Sequence, residues 1–309
     1  MLSEVPLPEL QEGDGDLIDG LPISLRLGEP VRCHGDEWKS FWMLPDGEPW
    51  LLIAETSDGF LLKFPDIMIC SVNSASLSIV CAPLNNSPDV TIRHLVLDQV
   101  VPLLLSWRGL VILHVAVVKV GDIGIGFMGV SGRGKSTLTA EFSRCGHEVI
   151  SDDSVLLERS NGQYRAVANY PGIRLWDDSY QGVFRESEEF AVPMAHYTEK
   201  KRIQSKGVMS GSSNAAPLAY LFSLEDELKD SPDVVCISAM GFQEKLKLLL
   251  ESKFRLDITD AQVLSQEFSM LSRLVEEIDC YKMHYRREYS MVGEVRKKIC
   301  DFVEYEIGA

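Results

Sequence analysis

The sequence predicts a mixed α/β (α+β) chain in two parts: a small, mostly-β domain over residues 1–88 and a larger domain over 89–309. Three observations predict it. Short β-like runs separated by turn signals fill the first part. A glycine-rich loop, GVSGRGKS, follows an apolar strand and opens an amphipathic helix. Strand and helix patterns then alternate to the C-terminus.

In the first part the runs are ISLRL, SFWMLP, WLLIAET, GFLLKF and ASLSIVCA, with PDG, SDG and NNSP between them as turns. The acidic stretch before them, residues 1 to about 20, reads as an irregular arm. No acid–base cluster stands out in this part, so it is expected to choose a partner rather than perform chemistry. TIRHLVLDQVVPLLLSWRG reads as a helix despite Pro102, leading into the second domain.

That domain opens with a predicted hairpin of LVILHVAVVKV and IGIGFMGV, turning at Gly121-Asp122, a pair that tolerates positive φ. STLTAEFSRC places Leu138, Phe142 and Cys145 on one helical face, and Gly146 ends the helix. HEVIS is a strand that delivers Asp152 and Asp153. LAYLFSLE and DVVCISAM are further strands. GFQEKLKLLLESKF, DAQVLSQEFSMLSRLVEEI and EVRKKICDFVEYEI are helices.

Composition narrows the function classes. Apolar residues make up 45% and charged residues 25%, an ordinary globular balance. The most apolar stretch is interrupted by Asp98, Arg108 and Lys119, which argues against a membrane span. A formal net charge of −16 argues against nucleic acid as a partner, because phosphate attraction needs a basic surface. The seven cysteines are dispersed with no CxxC pair, which reads as reduced thiols in a cytoplasmic protein.

The chemistry concentrates between Gly129 and Asp153. Gly129, Val130, Ser131, Gly132, Arg133, Gly134, Lys135 and Ser136 satisfy G-x-x-x-x-G-K-[ST], with Thr137 next. Glycines let backbone N–H groups cradle phosphate oxygens, and the adjoining helix adds its positive end. Lys135 is placed to reach the β- and γ-phosphates of ATP and the Ser136 hydroxyl to ligate Mg²⁺. Asp152 and Asp153 come one short helix later. They read either as a turn pair or as a Mg²⁺ ligand beside a general base. His114, alone in the apolar run VILHVAVV, reads first as a core residue.

This layout, with LHVAVV, a hairpin, GVSGRGKST, a helix and GHEVISDD, resembles the HPr serine kinase/phosphorylase family from His114 to Ser154. The resemblance implies the nucleotide-binding fold shared with phosphoenolpyruvate carboxykinases, in which the acid follows on the next strand. It also implies that Asp153 accepts the serine proton, that Lys135 and Ser136 serve the phosphates and Mg²⁺, and that His114 is an active-site residue. The family's metal-binding glutamate falls on Asn169 here, so Asp152, Asp177 or Asp178 is a candidate replacement. Lys200, Lys201 and Arg202 are candidates either for cations on the transferred phosphate or for a solvated loop. YPGIRLWDDS, SNAAPLAYLFSLE and FRLDITD resemble segments of divergent relatives from ribosomally made peptide pathways, including lasso-peptide kinases.

The expected activity is an ATP-dependent serine kinase for a small protein or precursor peptide carrying an acceptor serine; a homo-oligomer is compatible with it. The rivals are a nucleotide-sensing module without phosphotransfer, and a small-molecule kinase or phosphorylase. A sensor needs no base, which sets it against the acid pair.

Overall fold

The computed structural model describes residues 2–4, 6–8, 10, 23–29, 38–73, 75–168, 172–184, 190–204, 215–228, 235–254 and 261–308. Asn169 and most of the arm and of FRLDITD lie outside these. The chain is mixed α/β and divides into two units, Met1–Arg108 and Gly109–Ala309.

The first unit is a seven-stranded sheet. It contains β1 (Leu2–Ser3), β2 (Ser24–Leu27), β3 (Lys39–Met43), β4 (Pro49–Thr56), β5 (Gly59–Phe64), β6 (Met68–Asn73) and β7 (Ser78–Pro83). Strands β3 to β7 form an antiparallel meander, and β2 joins β7 in parallel. Its cysteines Cys70 and Cys81 face each other across β6 and β7 as free thiols.

Helix α1 (Asp89–Trp107) belongs to this unit, so the expected boundary at residue 88 moves to 108. The reason is packing. Trp50 Nε1 donates to Gln99, and the Trp107 ring lies against Phe60 of β5. The helix is long and apolar enough to cross a membrane, but most of it is buried. Its middle, Val96–Val100, is a π turn directly ahead of Pro102. A wider turn there relieves the clash a proline ring makes with the carbonyl four residues earlier. Buried Asp98 lies against buried His94 one turn earlier, with Nδ1 and Oδ2 2.6 Å apart.

The second unit is built on a nine-stranded sheet. Its strands are β8 (Val111–Leu113), β9 (Ala116–Val120), β10 (Ile123–Met128), β11 (Val149–Ser151), β12 (Val155–Ser160) and β13 (Gln163–Ala168), then β17 (Ala215–Glu225), β18 (Val235–Ala239) and β19 (Asp279–Tyr285). A separate three-stranded sheet holds β14 (Ile173–Leu175), β16 (Thr198–Gln204) and β15 (Phe190–Ala195), in that order. The helices are α2 (Lys135–Arg144), α3 (Asp177–Phe184), α4 (Phe242–Ser252), α5 (Ala261–Glu277) and α6 (Val292–Gly308).

One correction concerns the expected hairpin, whose first strand is not continuous. The chain breaks at His114, with β8 pairing β12 and β9 pairing β10 and β11. The His114 N–H is instead taken by the Ser252 carbonyl at the end of α4, 2.6 Å away.

The sheet's register positions the site. β10, β17 and β19 run parallel, and β11 points the same way because β9 lies antiparallel between it and β10. Their C-terminal ends share one edge, where open α/β sheets bind ligands. Alternation sends Val118 and Phe127 into one core with Phe142 and Ile299, and Val117 and Met128 into another with Leu249 and Leu274.

The boundary at 108 has a consequence. A fragment of residues 109–309 is expected to melt cooperatively. A fragment of 89–309 strips α1 of its sheet and should aggregate or bind a hydrophobic dye. Circular dichroism melts and light scattering of the two fragments check this; equal behaviour would reject the boundary.

Candidate functional site

The glycine-rich loop joins β10 to α2. Gly129, Gly132 and Gly134 have φ of +138°, +83° and +94°, values side chains resist. At Gly134 a Cβ would also lie 2.3 Å from the Tyr285 hydroxyl. The carbonyl side of the loop is pinned by the end of β19 and the residues after it. Tyr285 Oη donates to the Arg133 carbonyl at 2.5 Å, and Arg287 Nη1 to the Gly132 carbonyl at 3.2 Å. Asp226, just past β17, takes both the Arg133 and the Arg287 guanidinium, which holds its carboxyl below the ordinary range.

Lys135 is buried, and its Nζ donates to the Gly129 carbonyl at 2.6 Å. Burial lowers its pKa, while Asp153 and Asp152 pull it back up and Lys200 opposes them. That pattern puts two carboxylates and a second ammonium within electrostatic reach of the loop lysine.

The acid pair lies just past β11. Asp153 Oδ2 lies 2.9 Å from Arg174 Nη1, and Oδ1 lies 3.3 Å from His114 Nδ1. Burial alone would raise the Asp153 pKa; His114, Arg174 and Lys135 together hold it well below the ordinary carboxylate range. Asp152 is 3% exposed. Its Oδ2 accepts the Arg174 backbone N–H at 2.9 Å, while Oδ1 is buried and meets no hydrogen-bond donor among the described residues. Burial drives its carboxyl up to about 7 against the pull of Arg174, with Asp153 adding to the rise and Ser136 opposing it. Two adjacent acids therefore have opposite titration behaviour, which separates their roles.

Arg174 sits on β14 directly across from Arg202 on β16, and both are buried. Like charges opposite each other on a sheet repel. Arg174 tolerates the position because Asp153 accepts its guanidinium. Trp176 comes two residues later, with Lys200 Nζ 5.4 Å from its ring centroid.

A cavity of about 710 Å³ is lined by Lys135, Asp153, Arg174, Trp176 and Lys200, whereas the buried Asp152 lies behind Asp153 in the chain and is not part of its lining. Of the residues expected from sequence, it is lined by His114, Ser131, Gly132, Gly134, Lys135, Ser136, Thr137, Asp153, Asp178 and Lys200. The others stand apart. Arg133 turns to Asp226, Lys201 pairs with Asp177 at 2.7 Å, and Val130 is exposed. Arg174, Trp176, Tyr285, Arg287 and Tyr289 also line it and were not singled out by sequence reasoning. Arg174 had a signal, an arginine inside the apolar run GIRLW. Tyr285 and Arg287 had none, because β19 comes after α5 with no glycine or proline between them.

The residues fit a Mg²⁺ ion. Oδ1 of Asp152 is buried without a well-formed hydrogen bond, and the Ser136 hydroxyl is near enough to lower the Asp152 pKa, so the two together offer the oxygen donors a hard cation takes. Among the described residues no cluster of three or more His, Cys, Asp or Glu side chains is placed to hold a metal.

No protein-family model matches the chain, and no curated protein matches its sequence. Among solved structures it is similar to the HPr(Ser) kinase/phosphatase from Coxiella burnetii. The identity is 16% over 54% of this chain and 92% of that one, with a TM-score of 0.28. At that score, function has to be read from the site's own geometry.

The Asp152 environment makes a pH-dependent prediction. Its folded pKa of about 7 lies above the 3.8 of a free carboxyl. The stability supplied by the bound proton is therefore complete below about pH 4 and is lost as pH rises through about 7. Asp152→Asn cannot ionise. In chelator, it should gain on the wild type from pH 4 to 8, reaching on the order of a few kcal/mol. Denaturant melts across that range measure it; parallel pH profiles for the two proteins would contradict it.

Proposed function

We propose that this chain is an ATP-dependent serine kinase acting on a small protein or precursor peptide, a divergent relative of the HPr serine kinase/phosphorylases. One observation carries the reading. Asp153, held ionised by Arg174 at 2.9 Å and His114 at 3.3 Å, lines the same cavity as Lys135 and the phosphate loop. A regulatory nucleotide sensor has no use for a carboxylate kept ionised there.

In this reading the loop amides and Lys135 bind the phosphates, and the acceptor serine enters beside Asp153. Its hydroxyl proton passes to an Asp153 oxygen, its oxygen bonds to the γ-phosphorus, and the bond from that phosphorus to the β–γ bridging oxygen breaks. ADP carries away the electron pair. Both Asp153 oxygens already accept one partner but keep lone pairs for the proton. A low carboxyl pKa is tolerable because phosphoryl transfer is largely dissociative and asks more for positioning than for a strong base. Ser136 and Oδ1 of Asp152 would hold Mg²⁺, which supplies charge neutralisation on the phosphates when bound. Lys200, close enough to be felt by Lys135, adds a cation for the transferred group.

Lys135→Ala should weaken Mg·ATP binding by at least about tenfold, since it removes a charge-assisted contact. Asp153→Asn should bind ATP normally and transfer phosphate about 10²–10⁴-fold more slowly. Calorimetry, together with mass spectrometry of candidate acceptor peptides incubated with ATP, checks both. No affinity at millimolar Mg·ATP would remove the reading, and full-rate transfer by Asp153→Asn would remove Asp153 from its role.

A further inference from the structure

The phosphate-loop and acid-pair residues occupy only part of the cavity. Its remaining wall carries Thr137, Leu138, Asp178, Ser179, Tyr289 and Val292. These residues are tied together. Thr137 Oγ1 donates to Ser179 Oγ at 3.4 Å, and Ser179 Oγ lies 3.1 Å from Tyr289 Oη. Tyr289 Oη in turn donates to Asp178 Oδ2 at 2.9 Å, and the Ser179 N–H closes on Asp178 Oδ1 at 2.8 Å. Gly182 of α3 makes room for the Tyr289 ring, since a Cβ there would stand 2.4 Å from it. The proposed transfer step assigns no part to the Asp178, Ser179 or Tyr289 side chains.

Their placement along the loop gives them a use. Lys135 serves the β- and γ-phosphates, and Asp153 lies at that end. The rest of a nucleotide must then leave along the first turn of α2, past Thr137, and Thr137 touches Ser179. We propose that Asp178, Ser179 and Tyr289 form the nucleoside subsite, with the Asp178 carboxylate taking the ribose hydroxyls and the Tyr289 ring and Val292 flanking the base. This rests on the phosphate-loop reading.

The chemistry suits a ribose. Asp178 is exposed at the cavity wall, and each oxygen already has one donor, which fixes its orientation while leaving lone pairs open. A cis-diol offers two O–H donors to one carboxylate, as acidic residues elsewhere hold nucleotide ribose. Tyr289 is 40% exposed and presents an aromatic surface, and Val292 adds apolar area beside it.

The test is calorimetry on the full chain with three magnesium-loaded probes: ATP, 2′-deoxy-ATP and inorganic tripolyphosphate. In the wild type, ATP should bind at least about tenfold more tightly than 2′-deoxy-ATP, the effect of removing one hydrogen bond to a charged group. Asp178→Asn should lose about that factor for ATP, no longer separate ATP from 2′-deoxy-ATP, and bind tripolyphosphate as the wild type does. Equal losses for ATP and tripolyphosphate, or undiminished discrimination between the two nucleotides, would overturn the subsite. Tripolyphosphate that binds the wild type through Lys135 as tightly as ATP does would overturn the subsite alone. Tripolyphosphate that does not bind the wild type at all would overturn the loop reading and the subsite with it.

Discussion

Arg174 is the residue on which the site depends. Its backbone N–H fixes Asp152 and its guanidinium fixes Asp153, so one residue of β14 sets the position of both acids. Arg174 pulls both carboxyls down, and burial decides the difference. Desolvation outweighs that pull at Asp152 and raises its pKa, whereas His114 and the Arg174 guanidinium together overcome it at Asp153 and keep that carboxyl ionised. The guanidinium is almost fully buried, and Asp153 is partly so. Breaking such a pair leaves an uncompensated charge, which costs more than the pair contributes by forming.

The site's charge is unlike that of the whole chain. The net charge is −16, yet Lys135, Arg174, Lys200 and Arg287 all line one cavity. Asp153, Asp178 and Glu288 line it too, so four cations face three carboxylates in a chain whose overall charge is strongly negative. The carboxylates of Asp152 and Asp153 offset part of that charge and bring the lysine of the loop back toward its ordinary pKa.

Much of the site is legible in the sequence because its signals are local. The loop, α2, β11 and the acid pair lie within one short run, and their turn residues and periodicity identify them without tertiary information. His114 is placed only through a family resemblance, and its apolar neighbours hide the break between β8 and β9. The residues that sequence reasoning misses are those that reach the site from afar. Arg174 arrives from a separate small sheet, Tyr285 from the end of β19 and Arg287 from just beyond it, and in β19 the apolar pair Cys280-Tyr281 breaks the alternation that Lys282 to Tyr285 keeps for only four residues. The domain boundary is misplaced for a similar reason. Helix α1 looks like the start of the second domain, but its apolar face belongs to the sheet that precedes it.

That Arg174 keeps Asp153 ionised for proton acceptance is tested most directly by the pH dependence of ATP turnover in Arg174→Met relative to the wild type. Without the guanidinium, Asp153 loses one of its two main counter-charges and its pKa rises against the remaining pull of His114 and Lys135, so the carboxylate becomes protonated at higher pH than in the wild type. The ratio of variant to wild-type turnover should be constant near pH 8 and fall as pH drops toward 5. A ratio independent of pH, or one that rises in acid, would contradict this role for Arg174.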